Sequence, residues 1–92
     1  MANLELLKLV IEVLSTRTAE YDREVKGEAY RQLPGLVEYL MIAQNRPEVH
    51  CYRRTGAGWE EQRYGPGDTV SMLEGGLSIA IATIYERLNM PV

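Results

Sequence analysis

The chain has 92 residues, 46% of them hydrophobic, with 10 Lys and Arg against 13 Asp and Glu and a net charge of −3. A chain this short holds a single core, and its acidic balance argues against a protein that coats nucleic acid through its overall field, while leaving room for a local basic patch. One cysteine, Cys51, excludes an intrachain disulfide framework and a cysteine-rich zinc site, as expected of a reducing cytoplasm.

The N-terminus, Met1 to Glu5, lacks the basic segment of a signal peptide, and Glu12 interrupts the apolar stretch Leu9 to Leu14. Neither a leader nor a membrane span is expected, and the expected location is cytoplasmic. The run from Leu6 to Leu14 reads as a strand covered on both faces. Glu12 is its anomaly, because an ionised carboxylate in an apolar strand is costly unless it is paired or placed at an opening.

Ser15 to Thr18 supplies hydroxyl N-caps for a helix over about Ala19 to Leu33. Val25, Ala29 and Leu33 share a stripe, with Tyr21 at its edge, and are expected to face the core. Gly27 weakens this helix by about 1 kcal/mol relative to Ala, unless it marks a close approach to the sheet. Pro34-Gly35 ends it.

Val37 to Ala43 reads as a central strand, and Gln44 to Pro47 as a turn. From Glu48 to Arg54 the pattern alternates, with Val49, Cys51 and Arg53 on one face and His50, Tyr52 and Arg54 on the other. A hairpin through Thr55 to Gly58 leads to a strand over Trp59 to Tyr64. A short strand over Thr69 to Met72 follows the Gly65-to-Asp68 turn. After Gly75-Gly76, Leu77 to Ile79 begins as a strand before a helix near Ala82 to Leu88. The expected order is β-α-β-β-β-β-α, a parallel β-α-β unit followed by an antiparallel meander. One crossover helix and one short terminal helix are thin cover for this sheet, and a second copy of the chain could supply the rest.

The informative spacing is Glu12 on a strand, then Asp22 and Lys26 on the helix that crosses back over it. A carboxylate and an ammonium at one end of a sheet are the pair a phosphodiester-cleaving site needs, the first to hold a divalent cation and the second to offset developing negative charge.

These residues, with Ile11 to Ser15, Tyr21-Asp22, Tyr30-Arg31, Pro34 to Ile42, Arg46 to Val49, Tyr52 to Arg54, Trp59, Tyr64 to Asp68 and Tyr85-Glu86, resemble one group. It is the large bacterial family of restriction-endonuclease-like proteins, abundant in cyanobacteria, within the PD-(D/E)XK nuclease superfamily. The resemblance runs from Val10 over almost the whole chain. It implies that Glu12 is the (D/E)XK carboxylate and that Leu14 stands where the superfamily lysine usually does. Lys26, on the following helix, takes that lysine's part, and Asp22 matches an acidic position one turn earlier. Glu12 and Lys26 are thus the implied catalytic pair, Glu12 and Asp22 the implied metal ligands, and Mg²⁺ or Mn²⁺ the implied cofactor. Family members carry their first metal-binding aspartate in a preceding N-terminal portion, and Leu7-Lys8 replaces the Pro-Asp often found before the strand. Residues 1–92 therefore read as one truncated restriction-endonuclease-like domain of α/β (α+β) class, a half-domain with metal binding weak or absent in isolation.

Three functions follow from this reading. The first is a degenerate nuclease-fold protein that is inactive alone and forms a homodimer. The second is an active Mg²⁺- or Mn²⁺-dependent DNA endonuclease completed by Asp22 or a second subunit. The third is a regulatory module that pairs with a full-length relative. A DNA partner gains no support from the net charge, and no membrane partner is expected. The plainer readings are an exposed i, i+4 pair for Asp22 and Lys26, a surface or core-edge position for His50 and a small buried hydrophobe for Cys51. For Arg53, Arg54 and Arg63 the plainer reading is cross-strand pairing with Glu60 and Glu61.

Overall fold

A computed structural model describes residues 8–15, 17–72 and 76–87. The expected strand start at Leu6, and Thr16, Gly75 and Leu88, lie outside these residues. The elements are β1 (Leu9–Val13), α1 (Ala19–Arg31), β2 (Glu38–Ile42), β3 (Val49–Thr55), β4 (Gly58–Tyr64), β5 (Thr69–Met72), β6 (Leu77–Ala80) and α2 (Ile81–Arg87). The β-α-β unit and the meander stand as expected. Leu77 to Ala80 forms a full strand, so there are six strands where the expected order had five.

β1 to β4 form one mixed sheet in the order β1-β2-β3-β4, and β5 and β6 form a separate antiparallel pair. β1 runs parallel to β2, with Glu12 beside Met41, and β2–β3 and β3–β4 are antiparallel. Period-two alternation then divides the side chains between two faces. On one, Leu40, Ile42, Val49 and Cys51 pack with Val70, Met72, Ile81, Ile84 and Tyr85 into an apolar core. On the other, Leu14, Tyr39 and Met41 pack with Val10, Tyr30, Leu33, Tyr52 and Trp59. There Tyr39 stacks on Tyr52 at 4.6 Å and 13°, and Trp59 meets Tyr39 edge-on.

α1 ends at Arg31, two residues before the expected Leu33. The segment that follows it is tied to the sheet, because Arg54 Nη2 donates to the carbonyl of Leu33 at 3.0 Å and its Nε to that of Leu36 at 2.9 Å. Of the expected apolar stripe only Leu33 packs against the sheet; Ala29 is exposed, and Tyr21 is 68% and Val25 48% exposed. Arg23, Lys26, Gly27 and Tyr30 take the sheet-facing side, since the floor beneath α1 carries Glu12 and His50 as well as apolar groups. Gly27 does mark a close approach, because a Cβ there would lie 3.4 Å from Tyr39 Oη and 3.7 Å from Met41 Cε.

Thr18 holds the N-cap position, but its hydroxyl makes no cap hydrogen bond and donates to Asp22 at 2.9 Å. The β2–β3 turn is tied down by Tyr85, whose hydroxyl lies 2.5 Å from the carbonyl of Ala43 and accepts from Glu48 N–H at 3.1 Å. β1 is an edge strand of the sheet, and on the side away from α1 its Ile11 is 51% and its Val13 38% exposed. Among the described residues no helix is long and apolar enough to cross a membrane.

Candidate functional site

Parallel pairing with β2 carries Glu12 into the sheet, on the face that α1 crosses. Lys26 and Tyr30, one helical turn apart on α1, both reach it. The Lys26 ammonium donates to Glu12 Oε1 in a close ion pair, and the Tyr30 hydroxyl donates to Oε2 at 3.0 Å. Both oxygens of the carboxylate are therefore engaged by donors of the chain itself. The hydrogen bond from Lys26 holds the Glu12 carboxyl below its ordinary value of 4.5, against the opposing effect of burial, and the Tyr30 hydroxyl adds to the lowering. Lys26 is raised in turn by its bond to Glu12. Tyr30 is raised by burial and by donating to the anion.

The structure thus brings Glu12 and Lys26 together. Asp22 stands apart from them in hydrogen bonding, its carboxylate being held by Thr18. Its charge is nonetheless felt at the site, raising both the Glu12 carboxyl and the Lys26 ammonium. A hard divalent cation takes several oxygen ligands. Among the described residues no group of three His, Cys, Asp or Glu side chains could hold one. Glu12 and Asp22 are two acids of such a set, so the donors described do not by themselves fit a catalytic cation. The partner that spacing alone did not single out is Tyr30. It stands at i+4 from Lys26, and its aromatic body packs at the edge of the Tyr39 cluster, 5.5 Å between ring centroids.

A second polar cluster lies on the same face. His50 is 3% exposed, with Nε2 2.5 Å from Glu48 and Nδ1 3.3 Å from Glu61. Tyr52 donates to Glu61 at 2.8 Å, and Arg23 reaches across from α1 to His50 Nδ1 at 3.5 Å. The core-edge expectation for His50 holds, as does burial of Cys51, whose thiol is pushed up to about 11 by burial and by the neighbouring Glu38 charge. The expectation of cross-strand pairing with Glu60 and Glu61 holds for none of the hairpin arginines: Arg63 pairs with Glu61 on its own strand, β4, at 3.4 Å. Arg53 turns to buried Glu38 at 2.8 Å, because that carboxylate sits beneath the sheet face and needs a cation. Arg54 lies over the Trp59 ring at 4.5 Å while binding the Leu33 and Leu36 carbonyls.

Comparison with known proteins places these residues in a family. The chain is 36% identical over 81 residues to "Uncharacterized protein slr1290" of Synechocystis sp. (strain ATCC 27184 / PCC 6803 / Kazusa), a match covering 87% of this chain and 43% of the relative. It is 44% identical over 48 residues to "Uncharacterized protein sll1609" of the same organism, covering 52% of this chain and 27% of that relative. The matches span less than half the length of either relative. A family model, Uma2, described as "Putative restriction endonuclease", matches residues 4–83, a span that includes Glu12, Asp22, Lys26 and Tyr30. With most of its length inside that match, the chain belongs to the Uma2 family.

Proposed function

We propose that this chain carries one half of a metal-dependent phosphodiester-cleaving centre, is inactive as an isolated protomer, and acts as a homodimer or as the regulatory partner of a longer relative. The observation that carries this reading is the state of Glu12, whose two oxygens are both taken by Lys26 and Tyr30. An anion so held is oriented and kept charged at neutral pH, and the ammonium beside it is placed to offset charge on a phosphoryl group. What the described residues do not supply is a third ligating side chain beside Glu12 and Asp22. In this reading the missing acid comes from a second polypeptide. The uncovered apolar residues Ile11 and Val13 on the edge strand that carries Glu12 offer such a chain a surface next to the site.

A second reading, an active Mg²⁺- or Mn²⁺-dependent DNA endonuclease, draws on the electrostatic reach of Asp22 to both Glu12 and Lys26. Incubating the purified chain with supercoiled plasmid and Mg²⁺ or Mn²⁺ separates the two. No nicking by the chain alone, and nicking on adding a longer relative that Glu12→Ala in this chain abolishes, is the expected result. Nicking by the chain alone that is lost in Glu12→Ala and in Lys26→Ala would establish the second reading instead.

A further inference from the structure

A cleft of about 450 Å³ opens between the start of α1 and the β2–β3 turn. Leu14 and Met41 line it together with buried His50, and its rim carries Arg17, Tyr21, Arg23 and Arg46. Leu14 follows Glu12 by two residues along the same chain direction, a step of roughly 7 Å. The cleft thus lies on the same face as Glu12, which does not itself line it. We infer that it is a subsite for a nucleotide phosphate, with Arg17 and Arg46 as its cationic contacts and Tyr21 as a platform for the attached base.

The charge distribution favours an anion there. The chain as a whole carries −3, yet three arginines line this one cleft against two carboxylates, Glu20 and Glu48. Those two acids are already engaged. Glu20 is paired with Arg23, and Glu48 is bound by His50 and by Arg46. Arg46 spends Nε and Nη2 on Glu48, at 2.9 and 3.4 Å, and a guanidinium has five N–H donors. Its Nη1 donors are left for a ligand. The Arg17 guanidinium makes no hydrogen bond or ion pair among the described residues. An incoming phosphate thus gains a free cation without breaking any existing pair.

Tyr21, 68% exposed at the rim, adds a ring face on which a base can stack, and base stacking on such rings tolerates any sequence. This ring favours a nucleotide over bare phosphate. The wall holding Arg46 is fixed by Tyr85, which anchors the turn through Ala43 and Glu48, so that side of the subsite is preformed. The inference rests on the phosphodiester reading only for the identity of its ligand; the cleft and its cations stand apart from any cleavage.

The test titrates the full chain with three probes, inorganic phosphate, thymidine 5′-monophosphate and a short fluorescein-labelled oligothymidylate, following anisotropy or backbone amide shifts. The expected result is oligothymidylate binding that weakens about tenfold or more in Arg17→Ala, by loss of one charge-assisted contact. The slope of log K against log salt should also fall by about 1 in that variant. Arg17→Glu should weaken binding further. Monophosphate binding as tight as that of the oligonucleotide, and equally sensitive to Arg17, supports the phosphate subsite with a free nucleotide as its source. Oligonucleotide binding unchanged in both Arg17 variants, with unchanged far-UV circular dichroism, overturns the inference. So does binding lost only in Glu12→Gln. A chain that binds through Arg17 but cleaves nothing in any company keeps this inference while removing the cleavage reading.

Discussion

The two faces of the four-stranded sheet meet the cost of burial in opposite ways. The face under β5, β6 and α2 is filled by Leu40, Ile42, Val49, Cys51 and their apolar partners, and its one buried acid, Glu38, is matched by Arg53. The face under α1 buries aromatic rings beside Glu12, His50 and Glu61, and satisfies them with Lys26, Tyr30, Tyr52 and Arg23. Among the described residues no buried side-chain nitrogen or oxygen lacks a hydrogen-bond partner, so the polar face is a finished network. A fully satisfied network costs little to keep, but it gains less than apolar packing does. The comparison teaches a division in which one face is packed chiefly by apolar groups and the other carries the charged and polar network that includes Glu12 and Lys26.

That division predicts effects of very different size. Leu40→Ala, at a position 2% exposed in the apolar core, should destabilise the chain by about 2–5 kcal/mol in urea unfolding, a large share of the stability of a domain this small. A cost near zero would mean that this face is not the stabilising one. Tyr85→Phe should cost about 1–3 kcal/mol, because the Ala43 carbonyl loses its buried donor. An unchanged unfolding midpoint in urea would show that another group holds the turn. Glu12→Gln should change stability by less than about 1 kcal/mol, since the Lys26 side chain is 42% and the Glu12 side chain 24% exposed and water screens the pair. If the cost matched that of Leu40→Ala, the polar face would be structural after all.

The smallest effect is one of pH. Glu12 has a folded-state carboxyl below its ordinary value of 4.5, so it contributes stability that is present above that value and lost as the pH falls through the lowered one. Wild type should therefore lose slightly more stability than Glu12→Gln on acidification below about 4.5, and parallel curves would remove the Lys26 bond as a stabilising contact. On the apolar face, Cys51, pushed up to about 11, should resist thiol reagents at neutral pH until the chain unfolds.

The sequence made the strands readable because alternation survives wherever one face is apolar: Val49 and Cys51 against His50 and Tyr52 divide as their spacing indicates. The orientation of α1 was not readable. A hydrophobic stripe points to the core only when the floor beneath is apolar, and here the floor carries Glu12 and His50, so Tyr21 and Val25 face outward. Glu12 announced itself as a charge in an apolar strand. Its partnership with Lys26 was suggested by a strand acid followed by a lysine on the crossover helix and strengthened by the resemblance. The i, i+4 pair Asp22 and Lys26 would by itself read as a surface ion pair. The His50 cluster gathers β3, β4 and α1 through contacts across as many as 27 residues, and no local spacing encodes such a meeting.

The most direct test of the central claim, that Glu12 belongs to a half-centre closed by its own lysine and tyrosine, is a calorimetric titration of the isolated chain with Mn²⁺. The account predicts no stoichiometric uptake by the protomer, and uptake restored when a longer relative supplies a further acid. Tight one-to-one binding by the protomer alone, abolished in Glu12→Gln, would contradict it.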